Sequence, residues 1–370
     1  MTSLNGSQHG VHTYNIDGLL GVVSDVALPE LQVFRTAYVA SPDLVIEVGL
    51  VGGLAPRWRS DFSRLNGHLV YREHLGALAS NFEIHLGTPM AVKVSPLFAF
   101  SPHVLYTNIV EPLLRFLLVK RDRMLLHAAC IELDGLGILL SAKTDTGKTS
   151  TILRLLQARA GAFLSDDMTI IDAGGTAFRY PKPLTISAHT LSAVPQHRLR
   201  QRQRSALSVQ SRLHSRGGRS VGKRLGQSNL PIMAMNSVVQ AIIPPPKYMI
   251  TDLVPCRMKR QIHMDRFFII ERGQPRLVDR LDAGSAIEEL IENTEDAYGF
   301  PPYAVMAPQL VIGGDDYPAL LKKERAILRS ALAGVELYRL RVDDFSWPAL
   351  IGEHLDANAE RPGSAATVQR

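Results

Sequence analysis

Residues 136–159 read LGILLSAKTDTGKTSTILRLLQAR. Apolar residues fill 136–140, small and polar ones fill 141–150, and from Ile152 onward the apolar positions fall at helical spacing. The order is strand, loop, helix. The phosphate-loop pattern is Gly, four residues, Gly-Lys, then Ser or Thr. Here those eight positions are Ala142, Lys143, Thr144, Asp145, Thr146, Gly147, Lys148 and Thr149, followed by Ser150. Only the first glycine is replaced. Such a loop works because backbone N–H groups at a helix start cradle phosphate, a lysine reaches the β- and γ-phosphates, and a hydroxyl serves Mg²⁺. Lys148 and Thr149 supply the last two, so 142–150 is the expected nucleotide-binding segment. Ala142 is the smallest substitute for glycine, and costs about 1 kcal/mol or more if its φ must be positive. Asp145 sets an anion beside the expected phosphates and has to point outward.

Eighteen residues after Lys148 the chain has passed a turn at Ala160-Gly161 and a short run, AFLS, to reach Asp166-Asp167. Carboxylates at a strand end beside a phosphate loop suit two tasks, holding Mg²⁺ and accepting the proton of an attacking hydroxyl. Upstream, the apolar runs 124–133 and 136–141 meet at Asp134-Gly135, a pair that accepts positive φ and predicts an antiparallel hairpin. His127 lies inside the first run and, taken alone, reads as a core histidine. The segment 104–119 approximates a helix face interrupted by Glu111 and Arg115, with Pro112 as its start or a kink.

These signals divide the chain into a strand-rich amino-terminal domain, 1–120, ending in a linker helix, and a second domain, 121–352. A small, polar tail, 353–370, is expected to be disordered. Strands are expected at 31–39, 44–51 and 84–94. With 370 residues, 46% hydrophobic and 21% charged, the composition is that of ordinary globular domains and excludes collagen and coiled coil. Two cysteines, Cys130 and Cys256, exclude a disulfide scaffold. No run approaches the roughly 18 apolar residues of a membrane span, and the first residues lack a signal-peptide pattern. The expected location is the cytoplasm. The net charge is +6, yet eight arginines and Lys223 lie in 198–224 without one acidic residue, so the rest of the chain is mildly acidic. This basic insert, 196–229, would draw an acidic or phosphate-rich partner or an anionic membrane surface. It contains no Phe, Tyr or Trp, which argues against base stacking.

The stretches LLHAACIE (125–132), the Asp134-Gly135 hairpin, the loop through Thr149 and SDDM (165–168) resemble the catalytic domain of the HPr kinase/phosphorylase family and its HPr-kinase-related relatives. Weaker likeness continues to about residue 300. The resemblance implies an α/β P-loop kinase domain of the HPr kinase/phosphoenolpyruvate carboxykinase type. It implies ATP and Mg²⁺, and γ-phosphoryl transfer to a hydroxyl of a protein or peptide serine or of a small molecule. It also implies catalytic roles for Asp166, Lys148 and His127, with Thr149 and Asp167 as metal ligands. The downstream EIRGLG-type signature of that family is absent; the corresponding region reads RYPKPLTIS (179–187), so HPr itself is not the expected acceptor. Within it Lys182 is a candidate for contact with nucleotide or acceptor, and RMKR (257–260) for a phosphate clamp. IGGDDY (312–317) reads as a turn and helix cap rather than a metal motif. The alternative function is a nucleotide-binding regulator with a degenerate loop and no kinase activity, which Ala142 and Asp145 favour. A carboxykinase is disfavoured by the lack of a recognisable metal-binding set for it. A homo-oligomer is compatible with each.

Overall fold

A computed structural model describes residues 10–52, 60–65, 67–143, 146–185, 231–242, 244, 247–299 and 302–359 of the chain. Thr144, Asp145, the basic insert at 196–229 and residues 360–370 lie outside the described residues.

The Asp134-Gly135 turn folds as its composition predicts. Asp134 has φ 51° and Gly135 φ 85°, and Ala129–Leu133 pairs antiparallel with Leu136–Ser141, Leu133 opposite Leu136. Around this hairpin the chain builds a seven-stranded sheet. Its order is Arg257–Met258, Gly161–Ser165, Ala129–Leu133, Leu136–Ser141, Arg266–Arg272, Glu336–Val342, Leu277–Arg280. Gly161–Ser165 and Leu136–Ser141 are both antiparallel to the strand between them and so run the same way; Arg266–Arg272 and Glu336–Val342 continue that direction. Their carboxyl ends share one edge, the edge where open α/β sheets bind ligands. The architecture is mixed α/β, in agreement with the class read from the sequence.

Period-two alternation covers both faces of this sheet. Ile138, Leu140, Phe268 and Ile270 pack with Ile152 and Leu155 of the helix Lys148–Ala158 and with Ile351 of the helix Trp347–Ala359. Leu139, Phe267 and Ile269 face the other way, toward Ile287 and Leu290 of the helix Ala283–Ala297. Each such side chain, fully buried, contributes about 1.5–3 kcal/mol.

A second, four-stranded antiparallel sheet runs Arg123–Leu126, Thr169–Asp172, Thr176–Phe178, Gln261–His263. The run 124–133, expected as one strand, is therefore cut in two. Leu126 pairs with Thr169 in the small sheet and Cys130 with Ser165 in the large one, leaving His127-Ala128 as the crossing. Apolar residues flank His127 on both sides, as they would flank a histidine within one strand, so composition alone does not mark the cut.

The amino-terminal half is a nine-stranded sheet with a central path of Leu20–Ser24, Leu44–Val48 and Met90–Val94 in parallel. The strand expected at 31–39 is instead a 3-10 helix, Pro29–Phe34, followed by a two-residue strand, Arg35–Thr36. Leu28, Leu31 and Phe34 are all buried, a three-residue period that fits a 3-10 turn and not a strand. The segment 84–94 divides into Phe82–His85 and Met90–Val94.

The helical segment after this sheet runs Pro102–Leu105, a π-helical turn Tyr106–Val110, and Glu111–Val119. The widened turn sits just ahead of Pro112, whose ring crowds the preceding carbonyls and whose nitrogen cannot donate. Leu113, Leu114, Phe116 and Leu118 have no exposed surface, and they share one core with Ile16, Val22 and Val92 of the first sheet and with Met168, Ile170 and Tyr298 of the second half. The helix is a core element shared by the two halves. At the carboxyl end, the helix Trp347–Ala359 occupies the first residues of the segment expected as a disordered tail from 353. Among the described residues no helix is long and apolar enough to cross a membrane.

Candidate functional site

The carboxyl edge of the large sheet gathers the loop after Leu136–Ser141 and the acidic pair after Gly161–Ser165. Ala142 is buried in the sheet's core cluster, and it is not among the residues with positive φ. Replacing the first glycine by alanine is thus free of the backbone penalty expected for it. Lys143 is exposed, and its carbonyl accepts from the Thr146 hydroxyl at 2.7 Å. Gly147 carries the strained position. It precedes the helix Lys148–Ala158 with φ 128°, and a Cβ there would stand 3.1–3.3 Å from the rings of Phe345 and Trp347. Only glycine fits both demands.

Lys148 and Thr149, first and second in the helix, both turn onto the acidic pair. The Lys148 ammonium donates to the Asp167 carbonyl oxygen at 3.3 Å, and the Thr149 hydroxyl donates to Asp166 Oδ2 at 2.8 Å. Ser150 follows, half-buried on the first helical turn. Asp166 is buried, and its Oδ1 is a buried oxygen without a hydrogen-bond partner. Asp167 is the outward member, with half of its side chain exposed.

His127, on the crossing between the sheets, closes one side. Its Nδ1 lies 3.0 Å from the Asn293 carbonyl, which only accepts, so Nδ1 carries a proton. Nε2 lies 3.4 Å from Asp167 Oδ1. With Nδ1 committed as a donor, Nε2 donates to Asp167 only in the imidazolium form. The Thr294 hydroxyl and Ser141 tie down the backbone of His127 at 3.2 and 2.9 Å.

Lys182 closes the other side. Its ammonium bridges Asp167 Oδ2 at 2.7 Å and Glu111 Oε2 at 2.6 Å, and only 12% of its side chain is exposed. It stands between Pro181 and Pro183, which restrict the backbone on both sides of it, and its N–H bonds the Tyr180 carbonyl at 2.9 Å. Tyr106 lies beside it, ring centroid 5.9 Å from Nζ, and the Tyr106 hydroxyl bonds Tyr180 at 2.5 Å.

These contacts drive the two carboxylates apart. Burial raises the Asp166 pKa, and Lys148 and Thr149 only partly offset it. Burial also opposes ionisation of Asp167, but the Lys182 charge, the His127 hydrogen bond and Lys148 together hold it well below the usual carboxylate range. Burial lowers the Lys148 pKa. Lys182 moves the other way, because Asp167 and Glu111 outweigh its burial.

The structure thus brings together Ala142, Thr146, Gly147, Lys148, Thr149, Asp166, Asp167, His127 and Lys182 from the residues singled out in the sequence. It does not bring the 257–260 segment to them: Lys259 pairs with Glu132 at 2.6 Å and Arg260 reaches Asp17 at 3.3 Å. The segment 312–317 is a hairpin, Val311–Ile312 with Asp315–Asp316, whose Asp316 caps the helix Tyr317–Ala331 through the Ala319 amide. Glu111 is the residue that sequence reasoning passed over. Its signal was a carboxylate inside an otherwise apolar helix, which is tolerated only with a partner. No family model matches the chain, and no curated protein matches it.

Proposed function

We propose that the protein binds ATP with Mg²⁺ at the start of the helix Lys148–Ala158 and transfers the γ-phosphoryl group to a hydroxyl acceptor. The observation that carries this is that consecutive residues at the helix start, Lys148 and Thr149, each bond the Asp166-Asp167 pair. A phosphate loop and its acidic partner are expected to stand in that relation.

The donor chemistry fits Mg²⁺. Thr149 Oγ1 and the unpartnered Asp166 Oδ1 are hard oxygen donors, and among the described residues no group of three metal-binding side chains forms a closed cage. Magnesium characteristically takes one or two protein carboxylates and completes its shell from phosphates and water. When bound, it would neutralise charge on the phosphate oxygens. The geometry favours Asp166, which shares a bond with Thr149, for the metal side. Asp167, ionised and half-exposed, is then the residue that orients the acceptor hydroxyl and, although a weak base, receives its proton once the new bond to phosphorus makes that hydroxyl strongly acidic, reversing the division implied by the family resemblance. Lys148 and the first helical amides bind phosphate, and His127 holds Asp167 Oδ1.

A regulator that binds nucleotide without transfer is the second reading. It is favoured by Asp167, whose two oxygens already face Lys182 and His127. Calorimetry with Mg-ATP, followed by labelled ATP with a native cell extract, separates the two. The kinase reading expects wild type to bind and to label an acceptor. Asp167→Asn should bind but not label, and Asp166→Asn should need more Mg²⁺. Binding without labelling decides for the regulator; no heat with Mg-ATP removes both.

A further inference from the structure

Two ammonium groups converge on one residue. Lys148 reaches the Asp167 carbonyl from the loop, and Lys182 reaches the Asp167 carboxylate from the opposite segment. Only Lys182 bonds that carboxylate; Lys148 bonds the main-chain oxygen. Setting the two ammonium groups beside one residue costs repulsion, since the Lys182 charge also helps to lower the pKa of Lys148. Lys182 is moreover not left to find its place. It stands between two prolines, its charge is fixed by Glu111, a buried carboxylate with 4% exposure, and the Tyr106 ring lies beside it. Both Glu111 and Tyr106 come from the 102–119 helical segment, which the first sheet packs against. A side chain restrained in this way has little rotamer entropy left to lose when an anion arrives.

We propose that Lys182 is a second γ-phosphate-binding lysine, held in position by Glu111, so that the amino-terminal half of the chain completes the nucleotide site. The assignment rests on the nucleotide reading above. It separates two phosphate subsites: Lys148 and the loop hold the β-phosphate common to both nucleotides as well as reaching the γ-phosphate, whereas Lys182 meets only the terminal phosphate. Glu111 is a positioning residue that acts through Lys182. If the Glu111–Lys182–Asp167 bridge were merely an internal fastening, its loss would alter the affinity for both nucleotides together or for neither.

The experiment is calorimetry on the full chain with Mg-ADP and with the slowly hydrolysed Mg-ATPγS. Variants are Lys182→Met, Glu111→Gln, the double variant, and Lys182→Arg, with thermal melts to confirm folding. The double variant matters because Lys182→Met alone leaves Glu111 buried without its cation, a change that itself threatens folding. Wild type should prefer ATPγS. Lys182→Met and the double variant should lose about tenfold or more in ATPγS affinity and keep ADP affinity within about twofold. Lys182→Arg should retain part of the preference, and Glu111→Gln should lose less than Lys182→Met. The two losses should not add, because both act through one ammonium group. An unchanged ATPγS-to-ADP ratio in a folded double variant overturns the proposal and leaves the nucleotide reading standing. Failure of wild type to bind either nucleotide overturns both.

Discussion

Replacing Arg115 by alanine should destabilise the protein by about 3–5 kcal/mol, more than a hundredfold in the folding equilibrium. Arg115 has no exposed surface. Its Nε and Nη2 donate to the two oxygens of Glu324 at 2.7 and 2.6 Å, Nη1 donates to the Tyr303 hydroxyl at 2.9 Å, and Nη2 also reaches Glu295 at 2.5 Å. Glu295 is about a third exposed and can rehydrate when the guanidinium is gone; Glu324 has no exposed surface and cannot. The cost is therefore set by one carboxylate left buried without a cation. Removing both partners with residues of similar volume, Arg115→Met with Glu324→Leu, should fall near neutrality.

The same argument fixes the pH dependence. Burial raises the Glu324 pKa even with Arg115 beside it. A carboxyl whose folded pKa lies above its unfolded one contributes stability that is complete at low pH and lost as pH rises through the folded value. In Arg115→Ala, Glu324 escapes its penalty by taking up a proton, which is easier at pH 5 than at pH 8. The deficit should therefore be larger at pH 8. Urea unfolding midpoints of wild type, single and double variants at the two pH values measure it. A single variant costing less than about 1 kcal/mol, or a double variant as unstable as the single, would refute the reasoning.

Gly147→Ala should lower the melting temperature and weaken nucleotide binding together. The left-handed backbone costs about 1–2 kcal/mol and crowding of Phe345 and Trp347 about 1–3 more; a variant melting with wild type would contradict this. Burial opposes ionisation of Glu30, yet His103 and Lys247 pull its pKa down to about 2, so its contribution is present above about 4.5 and lost as pH falls toward 2. Glu30→Gln should therefore flatten the acid side of the stability profile, and parallel losses in variant and wild type between pH 6 and 3 would count against it. Glu73 has the opposite sign: burial pushes it up to about 7 despite bonds from the Tyr71 hydroxyl and the Ala234 amide. Its contribution is complete below about 4.5 and fades as pH rises through 7, so Glu73→Gln should narrow the stability difference between pH 5 and 8, read from urea midpoints.

What could be read in the sequence was local. The Asp134-Gly135 turn, the strand-loop-helix order and the return to Asp166-Asp167 each depend on residues a few positions apart, where turn chemistry and periodicity operate. Pairings across long stretches of chain were not legible. Lys182 could be named as a candidate contact but its anchorage could not, because Glu111 lies 71 residues away, and Arg115 looked like an interruption because Glu324 lies 209 residues away. His127 read as a core histidine for a related reason: the cut between the sheets is a change of hydrogen-bond partner, not of composition. The 3-10 helix Pro29–Phe34 was missed on different grounds, since its apolar residues recur every third position, a period that six residues barely reveal.

Glu111 and Arg115 lie one turn apart on the same helix and carry opposite charges into the buried region that the two halves share. Arg115 fastens the helix to Glu324 and Glu295 of the second half, and Glu111 fastens Lys182 beside Asp167. Neither pair serves a surface role, and both exact a desolvation cost that an apolar helix would avoid. Transmission of a signal through this helix requires an element with two stable arrangements. Every residue of Glu111–Val119 except Leu117 is instead buried, and close packing of that kind favours a single arrangement. A fixture of this kind preorganises charge before a ligand arrives, which is where electrostatic stabilisation gains most. Its expected signature is a change in intrinsic triphosphate affinity when Glu111 or Arg115 is altered, with binding curves that stay hyperbolic.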